Sequence, residues 1–246
     1  MIRLAFLLFA LLMAAPVSAL DLKQMSPEER AAFGAQVRSY LLENPEVIFE
    51  AVRILEARQA EAEARADFDL VTQHAQALFD DGQSWVGGNP DGDITLVEFL
   101  DYKCGYCKRA HGELAKLLES DGNIRLIVKE FPILGEQSME ASRFALATRK
   151  VAGDTAYKAV GDALMAFNGE VSSRSLRRMA TSLGLNWSDI EAAMGAEDIT
   201  DQIRTTRNLA QQLKISGTPT FVFEDELVRG FIPYDQMQDL IAEKRS

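Results

Sequence analysis

Leu96-Val97-Glu98-Phe99-Leu100-Asp101-Tyr102-Lys103-Cys104-Gly105-Tyr106-Cys107-Lys108-Arg109-Ala110-His111 is the stretch on which the reading of this chain turns. An apolar run leads into two cysteines, and a helix-like pattern follows them. Cys104 and Cys107 are the only cysteines in 246 residues, so no sulfur is left to staple the fold. A Cys-x-x-Cys that follows a strand and opens a helix is a redox signal. Cys104 falls at the helix N-terminus, where free backbone N–H groups and the positive end of the dipole favour a thiolate. Cys107 lies one turn in and is expected to be the more buried sulfur. Access then assigns the roles. Cys104 attacks, or is attacked, to give a mixed disulfide, and Cys107 resolves it by closing the ring. Gly105 and Tyr106 shape the turn between them. A purely structural cross-link over so short a loop would contribute little chain entropy.

A metal reading of the same residues stays open as the minor alternative. His111 lies four residues after Cys107, so Cys104, Cys107 and His111 could share one helix face. A structural zinc site takes four ligands, and the only other histidine, His74, sits on a distant segment. Copper(I) accepts fewer and softer ligands.

Downstream, residues 124–131 read as a second strand with Ile124, Leu126 and Val128 alternating. The unit is therefore β-α-β, which implies a parallel strand pair. Residues 135–213 are helical in pattern and carry no obvious chemistry. The chain returns to β at Gly217-Thr218-Pro219-Thr220-Phe221-Val222-Phe223, turns at Glu224-Asp225-Glu226, and closes a hairpin with Leu227-Val228-Arg229-Gly230-Phe231. Pro233 opens a last helix with Met237, Leu240 and Ile241 inward.

Upstream, Gly87-Gly88-Asn89-Pro90-Asp91-Gly92-Asp93 is a dense turn cluster and marks a boundary. Residues 20–80 read as helical with little core of their own. Ser26-Pro27-Glu28-Glu29 is a capping box with Pro at the first helical position, and Phe33, Val37, Tyr40 and Leu41 form a face. Asn44-Pro45 restarts a helix whose face is Val47, Ile48, Ala51, Ile54 and Leu55. From Glu56 to Asp67 the large apolar residues vanish, leaving a solvated spacer. Helices this small need a partner surface. They either fold back on the main domain or pair with copies of themselves, and the spacer favours copies.

The first residues read as an export signal: Arg3, a short apolar run from Leu4 to Ala15, and a Val17-Ser18-Ala19 cleavage site, with cleavage after Ala19. The run is shorter than the roughly 20 apolar residues of a spanning helix. An oxidising compartment follows from export, and there a lone cysteine pair reads as catalytic rather than architectural. The net charge of −11 argues against nucleic acid, whose binding depends on Lys and Arg neutralising phosphates.

Residues 94–111 and 217–219 together resemble a thioredoxin-fold disulfide oxidoreductase of the DsbA-like class, and the helical block at about 135–213 is similar to that class's insertion. The resemblance covers about residues 80–244. Cys-Gly-Tyr-Cys and Gly-Thr-Pro also look like bacterial periplasmic disulfide isomerases. The helices before residue 80 resemble those of the suppressor-of-copper-sensitivity C proteins, which trimerise through such a stalk. The expected architecture is α/β: a thioredoxin fold at 81–246 with an inserted helical subdomain, an N-terminal helical oligomerisation stalk and linker at 20–80, and a signal peptide at 1–19.

The resemblance implies further roles. Thr218-Pro219 matches a loop with a cis-proline that packs beside the dithiol. There, with Gly105 and Tyr106, it would hold an extended substrate peptide. On its own Pro219 reads as a trans proline at a strand start, because cis is the minority state even for X-Pro bonds. Glu98, six residues before Cys104, matches a buried acid that would relay protons to or from Cys107. Strand alternation alone does not settle which way Glu98 faces. No cofactor is implied. The implied partners are exported client proteins, a membrane redox partner of the DsbD or DsbB kind, and further copies of the chain joined through residues 20–60. The expected activity is periplasmic protein disulfide isomerase or reductase, with a DsbA-like oxidase and a copper-tolerance protein as alternatives.

Overall fold

The computed structural model describes residues 25–246, so the export-signal reading of residues 1–19 lies outside them. The chain divides into two compact units, the first ending at Gln59 and the second starting at Ala60. In the first, Ser26 caps α1 (Pro27–Glu43) reciprocally: Glu29 N donates to Ser26 Oγ (3.2 Å) and Ser26 N to Glu29 Oε2 (2.8 Å). The next helix, α2 (Glu46–Gln73), begins after Asn44-Pro45. α1 buries no residue. Phe33, Val37 and Tyr40, then Ile48, Val52 and Leu55, recur at helical spacing, and all six are exposed.

The second unit is built on one sheet of five strands, β1 (Trp85–Gly88), β2 (Ile94–Leu100), β3 (Ile124–Glu130), β4 (Thr220–Phe223) and β5 (Glu226–Arg229), in the order β1-β3-β2-β4-β5. β2 and β3 run parallel, and every other pairing is antiparallel. The crossover between β2 and β3 is α4 (Gly105–Asp121). β1 corrects the turn reading of the Gly87-Gly88 cluster: both glycines belong to an edge strand paired with β3. The reason is close backbone approach, since a Cβ on Gly88 would collide with the Ile124 carbonyl.

β2 is buried on both faces, as an interior strand with a parallel neighbour should be. Leu96 and Leu100 join Leu114 and Leu117 of α4 in one core, which extends into α5 (Glu136–Ala166), α6 (Ser173–Ser182), α7 (Trp187–Met194) and α9 (Tyr234–Lys244). Val97 and Phe99 join the opposite core with Val71, Leu78 of α3 (Ala75–Phe79), and Leu209 and Ala210 of α8 (Glu197–Gln212). Lys129 is buried on that second side; its Nζ donates to Asp81 Oδ2 and to the Ala77 carbonyl, both at 2.7 Å, which pins the segment after α3 to the sheet. α5 is broken at Gly153, whose φ of +84° and ψ of −178° only glycine adopts readily. Among the described residues, no helix is long and apolar enough to cross a membrane.

Candidate active site

Where β2 ends, the buried Asp101 carboxylate organises the turn. Its Oδ1 accepts from Lys103 N (2.8 Å), and its Oδ2 accepts from Ile133 N (2.8 Å) and Leu134 N (3.0 Å), so the loops after β2 and β3 are tied together. Cys104 N then donates to the Asp101 carbonyl (3.0 Å), and Cys104 becomes the residue capping α4. Both cysteines are free thiols. Cys104 keeps 7% of its surface exposed and Cys107 none, which is the asymmetry that attacking and resolving sulfurs need.

Cys104 Sγ donates to the Thr218 carbonyl at 3.1 Å, across 114 residues of sequence. The Thr218–Pro219 peptide is cis. Pro219 itself is buried, and its carbonyl is taken by Gly230 N at 2.9 Å. Gly105, Tyr106 and Gly217 are exposed and Thr218 is half-buried, so the sulfur is reached along these residues. Arg109 lies over the Phe231 ring at 4.6 Å and the Tyr106 ring at 5.9 Å, forming a stacked surface beside Cys104. Lys103 Nζ donates to the Gly169 carbonyl (3.2 Å) and Lys108 Nζ to the Phe167 carbonyl, so both lysines hold the loop after α5 against the start of α4.

Glu98 faces the α4 side of the sheet, in line with Leu96 and Leu100, and is 2% exposed. Its Oε1 has no hydrogen-bond partner among the described residues. Burial, and secondarily the nearby Glu130, push its carboxyl up to about 8. Burial also pushes the Cys107 thiol up, with the Glu98 charge adding to it. Glu98 lines a cavity of about 350 Å³ together with Trp85, Leu114, Tyr157, His111 and Asp162.

Several residues of this region were not singled out in the sequence. Glu130, also 2% exposed, accepts hydrogen bonds from Tyr102 Oη (2.8 Å), Tyr157 Oη (2.6 Å) and Ser142 Oγ (2.7 Å). Burial raises its carboxyl to about 7 against the lowering effect of these three hydroxyls. The only local signal is the alternation Ile124, Leu126, Val128, which puts position 130 on the same face. His111, the candidate third metal ligand, is turned elsewhere: its Nε2 lies 3.0 Å from Asp162 Oδ1. Among the described residues, no three His, Cys, Asp or Glu side chains come together as a ligand set. Among the described residues, the donor set offered to copper(I) is the two sulfurs, and His111 does not fit the role of third ligand.

Residues 95–242 match the family described as DSBA-like thioredoxin domain, and residues 29–62 match the copper resistance protein ScsC N-terminal domain. Among solved structures, a thioredoxin-like oxidoreductase from Silicibacter pomeroyi DSS-3 is 42% identical, with a TM-score of 0.65 over 69% of this chain and 96% of that one. Proteus mirabilis ScsC in a transitional conformation is 28% identical, with a TM-score of 0.66 over 89% of this chain and 98% of that one. A periplasmic thioredoxin-like protein from Salmonella enterica serovar Typhimurium is 29% identical, with a TM-score of 0.62 over 69% of this chain and 94% of that one. Curated relatives include the Na(+)/H(+) antiporter NhaA 1 of Mycobacterium sp. (strain KMS), 26% identical over 155 residues, or 61% of this chain. The chain spans 24% of that antiporter's length.

Proposed function

Given that this chain belongs to the DSBA-like thioredoxin domain family, we propose that it exchanges disulfides in exported client proteins as a periplasmic isomerase or reductase. The observation that carries this reading is the Cys104 thiol held 3.1 Å from the Thr218 carbonyl, with Cys107 buried one turn behind it. An extended client segment lies against Thr218-Pro219 and the exposed Gly105-Tyr106 turn. The Cys104 thiolate attacks a client disulfide; that S–S bond breaks, one client sulfur leaves as a thiol, and the other is joined to Cys104. In isomerisation a second client thiol displaces Cys104 and returns it reduced. In reduction Cys107 does so: its proton passes to Glu98, its sulfur bonds to Cys104, and the client sulfur leaves with the electron pair. A membrane partner of the DsbD kind would then return electrons to the dithiol, whereas an oxidase would need a DsbB-like acceptor.

The choice of isomerase over oxidase rests on the N-terminal unit. Its two exposed apolar rows, Phe33, Val37 and Tyr40 and Ile48, Val52 and Leu55, suit burial against further copies of the chain. A trimer joined through residues 20–60 fits the similarity of residues 29–62 to the ScsC N-terminal domain. Export rests on the signal-like residues 1–19. Catalytic amounts of the reduced protein are expected to restore activity to scrambled ribonuclease. Failure to do so, with rapid oxidation of a reduced peptide, would leave an oxidase. Light scattering should give an oligomer for the mature chain and a monomer after deletion of residues 20–60. A monomer in both cases would also favour the oxidase.

A further inference from the structure

Glu98 and Glu130 stand on neighbouring parallel strands. In the β2–β3 register Glu98 is opposite Val128 and Leu100 is opposite Glu130. The two carboxyls therefore leave the sheet one diagonal apart, on the face that carries α4 and Cys107. Both are buried, yet their surroundings are opposite in kind. Glu130 is met by three hydroxyls, those of Tyr102, Tyr157 and Ser142, each giving its single hydrogen to the carboxylate. A carboxylate that accepts three such bonds is favoured in its ionised form. Glu98 has one oxygen, Oε1, with no partner among the described residues, which penalises its ionised form. Two buried carboxyls on the same face of adjacent strands do not both ionise freely and titrate as a pair.

We infer that Glu98 and Glu130 work as one acid pair holding a single proton, with Glu130 as the ionised member, so that the proton rests on Glu98 beside Cys107. This rests on the dithiol reading above and deepens it. When a client thiolate attacks Cys104 of the oxidised pair, the Cys104–Cys107 bond breaks and a client–Cys104 bond forms. Cys107 leaves with the electron pair and takes the proton of Glu98. The pair is then doubly charged, and this drives Glu98 to recover a proton from the solvent outside, by way of the cavity it shares with His111, Asp162 and Lys158. Ring closure by Cys107 runs the other way and needs Glu98 ionised first, which the Glu130 charge opposes. Glu130 touches neither sulfur nor client, so it is a positioning residue that acts through Glu98. The other titratable groups nearby are Cys104 beside Cys107, Asp101 beside Glu130, and Arg149 beside Tyr157.

The test follows the Glu98 carboxyl by carbon NMR across pH in the reduced full-length protein. In parallel, the release of thionitrobenzoate from its mixed disulfide with Cys104 reports attack by Cys107. Glu130→Gln is expected to lower the Glu98 midpoint by about one unit, for removal of a like charge at this range. Ring closure at about pH 7.5, between the two midpoints, then speeds up about threefold, because that much more of Glu98 is ionised. Tyr157→Phe deletes one donor, lets Glu130 take the proton more readily, and should shift Glu98 the same way by less. If Glu130→Gln fails to fold, Tyr157→Phe decides the matter, since it keeps the ring that packs 5.5 Å from Trp85. A midpoint that stays put or rises in the folded variants overturns the pair. A lowered midpoint in a protein that exchanges no client disulfides would uphold the pair and overturn the proposed function.

Discussion

Replacing Glu98 with glutamine should change the pH dependence of stability in a direction the structure dictates. Burial lifts the Glu98 carboxyl from the ordinary 4.5 to about 8 in the folded protein. Below pH 4.5 folded and unfolded chains both hold the proton, and Glu98 contributes no pH dependence. Between 4.5 and 8 the folded state keeps a proton that the unfolded state has lost, so stability falls as pH rises. Above 8 both forms are ionised and the penalty is constant. At about 1.4 kcal/mol per unit, Glu98 costs the fold about 3 kcal/mol by pH 7. Glutamine does not titrate. Its amide carries a fixed cost of its own, about 1–3 kcal/mol, for buried groups without partners. That cost is the same at every pH, so it cancels from the slope. Loss of the Glu98 charge also relieves Glu130, which adds to the effect with the same sign.

The assay is urea unfolding of the reduced protein at pH 5, 7 and 8.5, read by tryptophan fluorescence. Trp85 and Trp187 are the only tryptophans, and both are buried in the second unit, so the signal reports that unit. The stability of Glu98→Gln relative to the unaltered protein should rise across the series, by about 4 kcal/mol in total. A difference that stays flat to within about 0.5 kcal/mol, which is within the usual error of extrapolation, would refute the placement of Glu98 as a buried neutral acid.

Cys107→Ser should leave client peptides attached to Cys104 on non-reducing gels, because nothing closes the ring; Cys104→Ser should abolish attachment. Lys129→Met removes the donor to Asp81 and the Ala77 carbonyl. It should lower stability by about 1–2 kcal/mol in urea, because the half-buried Asp81 loses its counter-charge but keeps the hydrogen bonds from Gln83 N and from Ser84 N and Oγ. Gly153→Ala puts a Cβ on a residue at φ +84°, and should cost about 1–3 kcal/mol, visible as a lower Tm by calorimetry.

The β-α-β unit was legible because every instruction for it is local. The apolar run at 94–100, the turn residues after it and the helical spacing of Leu114, Leu117 and Leu118 all lie within one stretch of chain. β1 was not legible for the opposite reason. Trp85-Val86-Gly87-Gly88 carries two turn-forming residues, and its glycines answer to the backbone of β3, some forty positions away. Lys129 was equally hidden, since a lysine in a strand ordinarily signals a wet face. Here it is 1% exposed, because Asp81 and the Ala77 carbonyl meet its charge from a segment that packs there only in the folded unit.

The same division runs through the candidate site. Electron exchange needs two sulfurs a helical turn apart, and four residues of sequence spell it out. Proton handling needs a medium, and a medium is made by what surrounds a group. Glu98 could be noticed only through the family resemblance, which implies an acid six residues before the first cysteine, and its orientation could not be read from alternation in a strand buried on both faces. Its difference from Glu130 lies in three hydroxyls, from positions 102, 142 and 157, which converge only once α5 has packed on the sheet. The two glutamates look alike in the sequence. The fold makes one a holder of charge and the other a holder of a proton, and the direction in which Cys107 finds its chemistry easiest follows from that difference.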